Sequence, residues 1–146
     1  MPRLAPVLIA LGLMASGCAQ KPMLRADKGY VRLPASRANP AAAYFTLHGG
    51  DQPARLISVS SPVAVRTEIH RSMSSGGVET MSPVPELRVP ARGTVAFAPG
   101  GLHAMLFTLN PVVKPGGTVP LVLTFADGTR IEYDAPAIAA GDAAPK

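Results

Sequence analysis

Apolar residues in this chain come in short runs of four to eight, often alternating with polar ones and closed off by Gly, Pro, Asn or Asp. That is the period of a strand with one face buried, and it recurs along most of the length. The 16 Pro and 14 Gly enforce it: Pro removes backbone donors and Gly weakens helix interiors, so no stretch is left for a long helix. At 146 residues the chain accommodates one domain, and a 47% hydrophobic share excludes wholesale disorder. The expectation is an all-β fold, an antiparallel β-sandwich of short strands.

Strands are predicted over residues 30–33, 42–48, 54–60, 63–70, 78–81, 86–89, 94–97, 103–109, 119–125 and 130–134. Turns are signalled by Gly49-Gly50-Asp51, Ser74-Ser75-Gly76-Gly77, Pro99-Gly100-Gly101 and Pro115-Gly116-Gly117, and Asp127-Gly128 marks a tight hairpin. The folded body is placed at 30–136, behind a tether at 18–29 and ahead of a flexible tail at 137–146 made mostly of small residues.

The first 17 residues read as an export signal: Arg3 supplies positive charge, and residues 5–15 form an apolar run too short for the roughly 20 residues of a membrane-spanning helix. Ala15-Ser16-Gly17-Cys18 resembles the bacterial lipobox, which implies lipidation of Cys18 as the first mature residue. Ala15 stands where that motif most often has Leu, and ordinary cleavage after Gly17 or Ala19 is the alternative. The mature protein is expected in the periplasm, touching the membrane only through such a lipid.

Cys18 is the single cysteine, which excludes an intrachain disulfide and a CxxC zinc site. The net charge is +5, but the arginines are scattered singly, with no basic run and no interleaved aromatics, so no nucleic-acid partner is expected.

The informative placement is that of His and Met. His70, Met73, Met81, His103 and Met105 lie close in sequence, with only His48 and Met23 elsewhere in the mature chain. Alternation puts Arg66, Glu68 and His70 on one strand face, and places His103 and Met105 on a common face about 6.6 Å apart along their strand. Thioethers are soft neutral ligands that hold monovalent copper better than zinc, magnesium or calcium, and imidazole accepts many metals, so two His with two Met point to Cu(I). A blue-copper electron carrier is excluded, because that site needs a thiolate. Taken singly, Met105 reads as core filler and His48 as a turn residue; Met73, in a Ser-rich stretch read as a loop, has no packing reason to be there. The joint pattern carries the metal reading.

These residues resemble the PCu(A)C family of bacterial periplasmic copper chaperones. Its pattern is His, ten residues, Met, twenty-one residues, His-x-Met, and the chain gives His70, Met81 and His103-Ala104-Met105 at those spacings. Ala43-Tyr44-Phe45-Thr46-Leu47, Glu68-Ile69-His70 and Pro99-Gly100-Gly101-Leu102-His103 also look like family segments. Tyr30 and His48 depart from it, standing where Trp and Asn are common. The resemblance implies a cupredoxin-like sandwich, a monomer, that binds one Cu(I) through His70, Met81, His103 and Met105, with Met73 as an auxiliary. It also implies delivery to a copper acceptor, a cytochrome oxidase subunit or assembly factor, and above all to the oxidase's binuclear CuA centre.

No enzyme chemistry is expected. A hydrolase built on His70, nearby serines and Glu68 lacks a G-x-S-x-G elbow. The competing reading is an exported β-sandwich lipoprotein without metal, its His and Met cluster serving as a protein-binding patch. Since imidazole must be neutral to bind a metal, a copper carrier should lose affinity as pH drops below about 6.5.

Overall fold

A computed structural model describes residues 22–146; the export signal and Cys18 lie outside the described residues. Ten strands follow one another without a helix among those residues: β1 Arg25–Arg32, β2 Ala41–His48, β3 Ala54–Ser60, β4 Ala64–Ser75, β5 Val78–Pro83, β6 Leu87–Val89, β7 Thr94–Phe97, β8 Leu102–Leu109, β9 Thr118–Phe125 and β10 Arg130–Ile138. They hydrogen-bond in the order β5-β4-β8-β7-β2-β1-β10-β9-β3-β6, and β8 also pairs with β2.

The two halves of this ladder bury their inner faces in one core. Alternation in β2 sends Ala41, Ala43, Phe45 and Leu47 inward, and alternation in β9 does the same for Val119, Leu121, Leu123 and Phe125. Both sets join a single cluster with Val31, Leu56, Val89 and Leu106. Phe45 stacks on Phe97, ring centroids 4.2 Å apart, across a directly opposed pair.

Three expectations need correction. The sheet is not wholly antiparallel: β1 pairs with β10 in parallel, Val31 opposite Ala137, and β7 pairs with β8 in parallel at Phe97 and Leu102. The first strand begins at Arg25, inside the stretch read as tether. Its Arg25-Ala26-Asp27-Lys28-Gly29 start is too polar to show an apolar period, yet it pairs with β2 through a bulge. There Lys28 has φ 51°, and the Gly29 N–H donates to the Tyr133 hydroxyl at 2.8 Å. The last strand runs to Ile138, inside the stretch read as tail. Ala137 is buried there, so its small size reflects a tight core contact and not fraying.

Candidate metal centre

β4 and β8 lie side by side and antiparallel, with Arg66 opposite Phe107, Glu68 opposite Met105 and His70 opposite His103. Alternate residues Ile69, Leu102, Ala104 and Leu106 fill the core, so His70, His103 and Met105 share the outer face. The two imidazoles face each other, ring centroids 6.1 Å apart. Met105 stands one pleat along from His103.

β5 brings in Met81. The chain reverses over Gly76-Gly77, both at positive φ (59° and 80°), as a two-residue hairpin turn of the I′ kind requires. Ser75 pairs with Val78, Ser72 with Met81 and His70 with Pro83, which puts Met81 on the His70 face, diagonal to that residue. Such diagonal positions are within reach of long side chains. Two thioethers thus flank an imidazole pair, Met105 on one side and the 53% exposed Met81 on the other.

Met73 sits elsewhere. Because the turn uses only the two glycines, β4 continues to Ser75, and the residue read as part of a loop is in a strand, opposite Thr80. Alternation turns it to the other face of the hairpin from Ser72, Met81 and His70. His48 is apart too: its Nε2 lies 2.9 Å from Asp27 Oδ1, and that bond is the main reason the Asp27 carboxyl is held below the ordinary carboxylate range.

The hydrogen bonds decide which nitrogen each imidazole can offer. His103 is 5% exposed, and its Nδ1 lies 3.0 Å from the Gly101 carbonyl oxygen. A carbonyl only accepts, so Nδ1 carries the proton and Nε2 keeps the lone pair. His70 has the opposite arrangement: Nε2 lies 2.9 Å from Glu68 Oε2 and donates to it, while Nδ1 is buried with no hydrogen-bond partner. A buried polar atom without a partner is rare. Here it is a lone pair, on the face that His103 and the two thioethers share.

Around the pair, Arg66 donates to Glu68 Oε1 at 2.7 Å, and its guanidinium lies 4.1 Å over the Phe107 ring. Tyr44 packs on His103 (centroids 6.4 Å) and on Tyr30 (5.2 Å), with Arg32 over Tyr30. Burial pushes the Tyr44 phenol above its ordinary pKa. Sequence reasoning put Glu68 and Arg66 on the His70 face without giving them a part in a metal site. It named Tyr44 only within a family-like segment and gave it no place beside His103. No group of three or more His, Cys, Asp or Glu is arranged for a metal among the described residues.

Residues 24–137 match the family described as "Putative lipoprotein LpqE-like". The chain belongs to this LpqE-like family. A relative from Leifsonia xyli subsp. xyli, "Putative lipoprotein Lxx21020", is 30% identical, with 90% of this chain and 87% of that protein covered. Among solved structures, the solution structure of Cu(I)-DR1885 from Deinococcus radiodurans is 34% identical with a TM-score of 0.65, covering 82% of this chain and 81% of that one. The copper-bound PCuAC domain from PmoF2 is 21% identical with a TM-score of 0.66, covering 82% and 96%, a likeness of fold. This LpqE-like chain therefore has the cupredoxin-like β fold of PCu(A)C domains, as the family resemblance implied.

Proposed function

We propose that this LpqE-like protein is an exported carrier of Cu(I), without enzymatic chemistry of its own. His70 Nδ1, His103 Nε2, Met81 and Met105 hold the ion in this reading. The observation that carries it is the buried, partnerless Nδ1 of His70, on a ring 6.1 Å from a second imidazole whose Nε2 keeps its lone pair, with Met81 and Met105 on the same sheet face. Neutral soft donors suit a monovalent soft ion, and none of them is a thiol that an oxidising compartment would consume. Likeness to a Cu(I)-loaded protein at 34% identity supports the same cargo.

The ion is cargo, so it must leave as well as bind. His103 is buried and His70 nearly so, whereas Met81 is half exposed on a projecting hairpin. Met81 closes on the ion last and yields first, opening one coordination position to a ligand of the acceptor. The other three donors hold the ion until a second exchange completes the transfer. Membership in a lipoprotein family supports an anchor at Cys18 behind a signal over residues 1–17, with the domain acting in the periplasm as a monomer. The acceptor in this reading is a cytochrome oxidase subunit or assembly factor, and the destination is the oxidase CuA centre.

Competition for Cu(I) against a chromophoric chelator tests the ligand set. Loss of a residue that merely supports a ligand weakens metal sites by about 10–100-fold, so His70→Ala and Met81→Ala should each weaken binding at least that much. Met73→Ala, on the opposite face, should leave it unchanged. Affinity untouched by His70→Ala and Met81→Ala overturns the proposal in favour of a metal-free interaction module.

A further inference from the structure

We propose that Glu68 is a positioning residue that selects the nitrogen with which His70 meets the copper ion, backed by Arg66 and Phe107. The assignment rests on the Cu(I) reading above and adds to it a residue outside the four donors.

An imidazole has two nitrogens, and only the one without the proton can bind a metal. For His103 the backbone makes the choice, through the Gly101 carbonyl. For His70 a side chain makes it. Glu68 Oε2 is 2.9 Å from Nε2, and an ionised carboxylate has no proton to give, so Nε2 must carry the hydrogen and Nδ1 must not. Nothing else engages this ring, since Nδ1 has no partner at all.

The support behind Glu68 is built in the same way. Arg66, Glu68 and His70 occupy alternate positions of β4, so all three lie on the outer face. Arg66 occupies Oε1 of the same carboxylate at 2.7 Å, leaving Oε2 for the imidazole. Phe107, directly opposite Arg66 on β8, lies beneath the guanidinium at 4.1 Å and limits where it can swing. The row runs Phe107, Arg66, Glu68, His70, and ends on the buried lone pair.

A purely structural role for this row predicts something different. Arg66 is 59% and Glu68 35% exposed, and ion pairs this open to solvent contribute little to stability. Removing Glu68 should therefore leave the fold intact and change the ring, which separates positioning from packing.

Two measurements on the full domain test this. First, nitrogen-15 NMR of the metal-free protein, at a pH where the imidazoles are neutral, should show His70 protonated on Nε2 in the wild type. Glu68→Ala should give a mixture with the Nδ1–H form while the backbone amide spectrum stays that of the folded protein. Second, Cu(I) competition should show Glu68→Ala weaker by about 10–100-fold, the range for loss of a partner that orients a metal-binding His. Glu68→Gln, whose side-chain carbonyl still accepts from Nε2–H, should recover most of that loss. Glu79→Gln, which removes an acid from the same face without touching His70, should change neither measurement.

A wild-type His70 protonated on Nδ1 overturns the assignment, as does a folded Glu68→Ala that binds Cu(I) as tightly as wild type. If the wild type itself fails to bind Cu(I), the copper reading falls, and the assignment's link to copper falls with it. The NMR measurement still shows whether Glu68 sets the ring, so the two failures are distinct.

Discussion

At the residue scale, burial of polar groups on the outer face is what marks the site. His103 and Ser61 are the buried polar residues among those described, and His103 is covered in part by Tyr44. Tyr44 bears the electrostatic consequence. Its phenol is raised above the usual value near 10, first by burial and then by neighbouring Tyr30, with Arg32 opposing. A folded pKa above the unfolded one means that the unfolded chain ionises first, so the stability involved is present below pH 10 and lost as pH rises through the raised value. Tyr44→Phe should therefore shrink the loss of stability between pH 9 and 11, measured by urea denaturation at both. An equally steep loss in the variant would show that another group governs the alkaline limb.

In the proposed copper site, the β4–β5 hairpin is the element that supplies two of the four donors. It carries His70 and Met81 on one face, Met73 on the other, and reverses through two glycines whose Cβ positions open onto free space. A side chain at Gly77 meets no clash, so only the backbone conformation at φ 80° resists it. For a β-branched residue that strain is about 1–2 kcal/mol. Gly77→Val should fray the hairpin, seen as faster amide exchange over residues 72–81, and should lower Cu(I) affinity several-fold by loosening Met81. Gly76→Asn should do little, because Asn tolerates positive φ. If Gly77→Val frays the hairpin yet binds copper like wild type, Met81 is not a ligand.

For the described residues as a whole, pairing of β1 with β10 joins the halves of the sheet. β1 and β10 pair in parallel, the Leu33 N–H donates to the Ile138 carbonyl, Ala137 exchanges hydrogen bonds with Gly116 and Gly117, and Arg32 reaches the carbonyls of Ala139, Ala140 and Asp142. Deleting residues 137–146 removes three of those backbone bonds at about 1 kcal/mol each and the β1–β10 pairing with them, so thermal or urea unfolding should show a loss of at least about 3 kcal/mol. Deleting 143–146 should cost under about 0.5 kcal/mol. Equal effects would mean that closure contributes nothing. This closure was not legible in the sequence, where residues 25–29 look like a tether and residues 137–146 like a loose end. Parallel pairing of two distant segments leaves no local period, and a polar bulged strand shows no apolar alternation. What the sequence determined by itself was the class of fold, and it singled out the His and Met residues proposed here as donors. Period-2 alternation is a local property, and the chemical softness of His and Met does not depend on where they sit. Tertiary structure alone decided that Met73 faces away, that Glu68 and a backbone carbonyl meet the imidazole nitrogens, and that β1 and β10 close the sheet, because facing, side-chain contact and closure all depend on register between strands that are remote along the chain.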